Sequence, residues 1–446
     1  MKKSFDSMRR SYAKNIEVIG YHDLDGKPGF QMALQKIGRE YYLYLASFRH
    51  NGWTILNITD PAHPEKINWI DGPDSRTWSG QGTPKIQIAD GIMITALGGT
   101  LPMLHGTRRE DPHQGGIMIW DVNTDPARPK LLSTWHTGSP GGGDVHRSFY
   151  NGGRYVHLAA TCPGFRQRIY RILDIIDPTC PVEVGRWWSP DQYLAGCVSG
   201  KDGLMGVPAM QDLPALHAVT DVRSNRAYLG YGGGGFVILD ISDITTPKIV
   251  GSLKLLPPFG GKRAGNRCHT AMPLTGRNFA VVTNEGERFA CFSKEMLLAS
   301  GAQPLNNLHM VDISDETDPV LIAEFPYPEV PGDFPFPNFN SCGLGAQGPF
   351  GPHNIHEPHS QGWYEDDPNR IYCCYFHAGM RIYDTSDPYR PKEIAYFIPP
   401  NPQKQCFPCD YPGPLLGTAE DCLVDDRGYI YMDTFHDGVY ILKCTV

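Results

Sequence analysis

Histidine offers this chain its widest chemistry, because imidazole both moves protons and ligates metals near neutral pH. Sixteen histidines occur. His146, His217, His269 and the close pair His353 and His356 stand at the head of short segments (HRSFY, HAVTD, HTAMP, HNIHE). His50, His377 and His436 stand just after apolar segments, in the related contexts FRHNG, FHAG and FHDG. Two sets in two recurring contexts imply a repeated scaffold, and that scaffold decides whether the rings meet. His63, His105, His113, His136, His157, His309 and His359 read as ordinary turn, loop or strand residues.

The repeat is visible as a turn, Asp-x-x-x-Pro, written six times after an apolar strand. Its copies are Asp60/Pro64, Asp125/Pro129, Asp177/Pro181, Asp243/Pro247, Asp315/Pro319 and Asp387/Pro391. An Asp side chain closes such a turn, and Pro fixes φ where the chain enters the next strand. Two further strands precede each copy, as in HRSFYNGGRYVHLAAT and HAVTDVRSNRAYLGYG. Four strands per repeat is the signature of a propeller blade. Residues 418–446 supply three strands and then the chain ends, while Asn15–Gly20 (NIEVIG) resembles the fourth strand at Pro181–Gly185 (PVEVG). The expectation is therefore one all-β domain over 1–446, a seven-bladed β-propeller closed by an N-terminal strand. Its blades fall near 28–72, 80–138, 143–190, 214–255, 267–326, 351–397 and 418–446 plus 12–21.

The pattern of apolar strand, Asp, Ser-Asp and Pro (FVILDISDITTP, LHMVDISDETDP) resembles the LVIVD-repeat family of propellers. That resemblance covers nearly the whole chain and implies the fold; it implies no particular activity. Aligned on their second strands, the blades begin their innermost strands near Gln31, Thr83, His146, His217, His269, His353 or His356, and Glu420 or Asp421. Four neighbouring blades thus offer histidine at one mouth of the channel, and the loop set His50, His377 and His436 belongs to the same face. A divalent transition metal is the expected cofactor. Clustered imidazoles suit iron, copper, zinc, manganese or nickel, whereas calcium and magnesium take oxygen. Glu285, Glu287, Glu357 and Glu420 are candidates to orient ring N–H groups from behind. The arrangement, though no motif, is similar to the four-histidine iron site of carotenoid-cleaving oxygenases and the histidines of selenium-binding proteins, and a four-histidine site without a bound carboxylate favours iron.

Composition narrows the partners. A net charge of -8 and a pI near 6.0 disfavour a nucleic-acid surface. No apolar run approaches the roughly 18 residues of a membrane span. MKKSFDSMRRSYAK has no apolar segment behind its basic residues, so a cytoplasmic location is expected, with the twelve cysteines mostly thiols. Cys406 and Cys409 form a lone CxxC, a weak metal or redox signal. Long segments at 189–213, 327–352 and 398–417 exceed what joining strands needs. They read as walls of a pocket for a small-molecule substrate, or as contacts of a homo-oligomer. No Gly-x-Ser-x-Gly, P-loop or dinucleotide motif is present.

The functional expectation is a metalloenzyme with His146, His217, His269 and His353 or His356 as ligands, and His50, His377, His436 and Glu420 as catalytic or substrate-positioning groups. Its chemistry is oxidative on iron, or that of a zinc- or manganese-dependent lyase or hydrolase. The rival is a non-catalytic binding platform.

Overall fold

In the computed structural model of the chain, the described residues are 10–47, 49–100, 106–108, 110–194, 214–255, 268–285, 306–335, 339, 350–406 and 416–446. They form antiparallel sheets with almost no helix. Among them no helix is long and apolar enough to cross a membrane, and no disulfide is present.

The repeat unit is a four-stranded meander. Val145–Phe149, Tyr155–Thr161, Arg168–Asp174 and Val182–Trp187 pair in that order. Met32–Ile37 through Glu65–Asp71 does the same. One eight-stranded sheet joins two such units, 214–253 and 268–324, through the pair Gly232 and Cys268.

The Asp-x-x-x-Pro turns behave alike in all six copies. The side chains of Asp60, Asp125, Asp177, Asp243, Asp315 and Asp387 each accept the backbone N–H two residues on, at 2.9–3.0 Å. Each backbone carbonyl accepts from three residues on. Every third-to-fourth strand pair that follows carries a β-bulge, as at Ile55/Leu56, Ile172/Leu173 and Ile238/Leu239. Such bulges add twist to a sheet's outer edge.

The N-terminal segment divides in two, where the sequence suggested a single strand. Tyr12–Lys14 pairs with Lys392–Ile398, and Ile16–His22 pairs with Val439–Cys444, with a bulge at Val18/Gly20. Asn15, at φ 54°, makes the turn between them, and its Nδ2 donates to the Ile394 carbonyl at 2.7 Å.

Apolar clusters fill the spaces between successive sheets. Ile86, Ile88 and Met93 pack on Tyr44 and Trp53, and Leu229 and Val237 pack on Tyr170 and Ile172. Leu34, Leu43 and Leu45 pack on Tyr431, Val439 and Ile441, so the first and last units share a core.

Candidate metal centre

Four innermost strands place polar residues at a bulge, which helps to aim them. His146 lies in the register shift between Val145 and Arg147, His217 in that between Pro214 and Ala218, and His269 in that between Cys268 and Thr270. Glu420 and Asp421 occupy the shift between Ala419 and Cys422. A bulge turns one side chain out of the pleat's alternation, which is why such features recur beside functional sites. In the sixth unit His353 joins through its N–H to the Cys374 carbonyl at 2.8 Å.

In the second unit the structure moves the expected position by two residues. Ala96 N–H bonds the Lys85 carbonyl just as Ala46 N–H bonds that of Gln31. Lys85, and not Thr83, is therefore the counterpart of His146 in the second unit. Thr83 instead ties the first two units together, accepting from Gly52 N–H and donating to the Ser47 carbonyl.

Four of the expected ligands converge. His146 and His217 approach Nε2 to Nε2 at 3.0 Å. The rings of His217 and His269 are 4.0 Å apart, and those of His269 and His353 5.0 Å. Glu285, expected behind the ligands, stands among them. Its carboxylate lies 3.5 Å from His217 Nε2, 4.0 Å from His269 Nε2 and 3.9 Å from His353 Nε2. One potential ligand atom from each of His217, His269 and Glu285 falls within 4.8 Å of the others. Ligands about 2.0–2.2 Å from a common ion stand roughly 3–3.5 Å apart, so only a small contraction is needed.

The far sides of the rings are held. His353 Nδ1 donates to the Glu420 carbonyl at 2.7 Å, which leaves the Nε2 lone pair facing Glu285. His269 Nδ1 meets Thr270 Oγ1 at 2.7 Å. This is the outer support that metal-bound imidazoles normally have. Burial holds His353 down to about 3, with the Lys85 and Arg147 charges adding to the effect. Burial, followed by Arg168 and Lys85, keeps His146 well below its ordinary range. Both rings are neutral at pH 7 and keep a lone pair to give.

Glu420 stays at the cluster, its carboxylate 3.7 Å from His353 Nδ1, whereas the other expected histidines lie elsewhere. His356 spends both ring nitrogens on backbone, with Nε2 against the Glu365 carbonyl at 2.8 Å and Nδ1 accepting from Val424 N–H at 3.3 Å. His50 and His436 meet around Cys406, whose N–H points at His436 Nδ1 at 3.4 Å. His50, Arg49, Trp78 and Cys406 line a cavity of about 320 Å³ there. His377 is buried between Phe339 and Phe350, with its Nε2 3.2 Å from the Phe339 carbonyl. The loops reach the cluster through phenylalanines that sequence reasoning missed. Phe376 stacks on His353 at 4.6 Å, and Phe435 packs on Phe30, which lies 5.6 Å from His353. The signal was the Phe before each His in FHAG and FHDG.

Glu357 is salt-bridged to Arg147, and burial pushes it up to about 7. Glu287 and Cys409, with most of the three long segments, lie outside the described residues.

The LVIVD repeat family matches residues 221–254 and 302–325. None of the curated proteins matches this chain. Among solved structures, the β-propeller domain of Myceliophteria thermophila Cps50 (Swd1) is similar, with a TM-score of 0.54 at 10% identity, covering 97% of this chain and all of that one. A hypothetical selenium-binding protein from Sulfolobus tokodaii superposes with a TM-score of 0.53 at 12% identity, covering 93% of this chain and 90% of that one. At such identities the likeness speaks for the fold alone. Its LVIVD repeats and its propeller neighbours together mark the chain as an LVIVD-repeat β-propeller.

Proposed function

We propose that the chain is a seven-bladed propeller, closed by its N-terminal strand, that holds a divalent transition metal and acts on a small organic molecule. Closure is supported by Ile16–His22 on the edge of the last sheet and by the core shared between the last and first units.

The observation that carries the metal reading is the grouping of His217, His269 and Glu285, flanked by His353 and His146. A mixed imidazole and carboxylate set suits iron, manganese or zinc, and it weakens the preference for iron that four imidazoles alone would give. The bound ion would supply Lewis acidity or redox chemistry at an open coordination position. The chain's own part is to keep the rings neutral and fixed, with Phe30, Phe376 and Phe435 limiting water on the His353 side. His50 lines a cavity with Cys406, and His436 backs Cys406 there, so the two serve substrate entry better than proton transfer at the ion.

Elemental analysis of protein purified without added metal tests this. About one ion per chain is expected, falling below about a fifth in His217→Ala/His269→Ala and much reduced in Glu285→Gln. Wild-type protein without metal, and unable to take up iron, manganese or zinc, overturns the centre. A metal-loaded protein without turnover on any small molecule would leave the binding platform.

A further inference from the structure

Two cations are buried beside the histidine cluster with hydrogen-bonding capacity in hand. Lys85 is 1% exposed, and its Nζ rests 4.3 Å from the centre of the Phe30 ring. Among the described residues the side-chain contact seen for it is this ring, with no hydrogen bond or ion pair. Arg147 is 2% exposed; its Nη2 bonds Glu357, while Nε and Nη1 meet no partner among the described residues. Both are placed by the elements that place the ligands. Lys85 holds in its blade the position that His146 holds in the next, and Arg147 follows His146 in the chain. The Phe30 ring under Lys85 also packs against His353.

A buried ammonium without a counter-charge at contact is costly. The surrounding carboxylates do not remove that cost at close range. Glu357 is taken by Arg147, Asp421 accepts from Met32 N–H at 2.8 Å, and Glu285 is turned to the imidazoles. They act on Lys85 only through space. Burial and the Arg147 charge pull its ammonium down to about 8, so it is still largely cationic at neutral pH.

We propose that Lys85 and Arg147 form an anion subsite beside the metal centre, and that the substrate is a small carboxylate with an apolar body. A planar carboxylate can take an ammonium on one oxygen and guanidinium N–H groups on the other, and Phe30 offers an apolar surface next to them. The substrate role rests on the metal reading above; the anion subsite stands without it.

Calorimetric titration with benzoate, benzamide and inorganic phosphate tests the assignment, on protein as purified and after chelation. Benzoate is expected to bind at least about tenfold more tightly than benzamide. Lys85→Met is expected to lose about that factor, and Lys85→Arg to retain most of it. Lys85→Met should keep its metal content and unfold at no lower temperature, since it removes a buried charge that has no close partner. Benzoate bound no better than benzamide, or equally well by a folded Lys85→Met, overturns the subsite. Phosphate bound in place of benzoate overturns the carboxylate. A chain that discriminates benzoate but never holds metal sinks the metal reading and leaves this one standing.

Discussion

At the scale of single residues, burial decides which histidines can act and which only pack. His157 is 5% exposed, with Nδ1 2.7 Å from the Tyr170 hydroxyl, and burial pulls it down to about 3. The unfolded chain protonates this group near 6.5 and the folded chain does not. Its contribution to stability is therefore complete above pH 6.5 and is lost progressively as pH falls toward 3, at about 1.4 kcal/mol per pH unit. Urea denaturation of wild type and His157→Gln should show a gap that narrows by about 2 kcal/mol between pH 6.5 and pH 5. A gap that stays constant would mean that the ring is already charged in the fold. The candidate ligands share this burial but differ in what surrounds them, since their Nε2 atoms face one another and Glu285. Sequence could name His146, His217, His269 and His353 because they recur in register. It could not separate His353 from His356, three residues on, because that choice depends on which ring the Glu365 carbonyl and Val424 N–H occupy.

At the scale of elements, the outer strands dock each sheet on the next turn, and glycine makes the approach possible. A Cβ on Gly185 would overlap the carbonyl oxygen of Ile244, and one on Gly251 that of Glu316, each in the Asp-x-x-x-Pro turn of the following unit. Gly20, in the N-terminal strand, stands in the same relation to Pro61 in the turn of the first unit. Replacing Gly20 by Val should cost about 1–3 kcal/mol, the usual range for forcing atoms into a packed contact, read as a lower urea midpoint with an unchanged slope. A neutral result would remove the docking contact from the case for closure. The repeat was legible because it is written in turn chemistry, Asp and Pro at fixed offsets, that depends on local backbone geometry alone. The bulges that aim His146, His217 and His269 were not legible. They come from pairing stretches of unequal length, with one extra residue at His146 and His269 and two at His217, and neither strand records that by itself. The Thr83 reading failed for a related reason: between Gly82, opposite Gly98, and Ile86, opposite Thr95, the inner chain holds one extra residue, so the position fell on Lys85.

At the scale of the whole molecule, the proposed closure would decide whether the candidate ligands hold their places, because they come from different innermost segments with no covalent frame between them. Thr445 N–H bonds the Asn15 carbonyl at 3.0 Å, Ile16 pairs with Cys444, and Tyr12 packs edge-on to Phe334 at 5.4 Å. The two chain ends thus meet on one sheet, and Tyr12–Lys14 adds a strand to its neighbour. Deleting residues 1–22 would bare the edge of Val439–Cys444 and that of Lys392–Ile398, and unpaired edges invite association with other chains. The truncated chain is expected to aggregate or to unfold without a cooperative transition, and to lose metal with it. Loss of mass alone must be distinguished from loss of closure. A circular permutant does so by joining Val446 to Tyr12 through a short Gly-Ser linker and opening the chain between Gly38 and Arg39, in an exposed hairpin turn between Met32–Ile37 and Glu40–Ser47. The permutant keeps every strand and lacks only residues before Tyr12, so it should unfold cooperatively and bind metal like the wild type. If the truncation behaves as well as the permutant in both measurements, the N-terminal strand is an ornament on an open array and the closed ring is wrong.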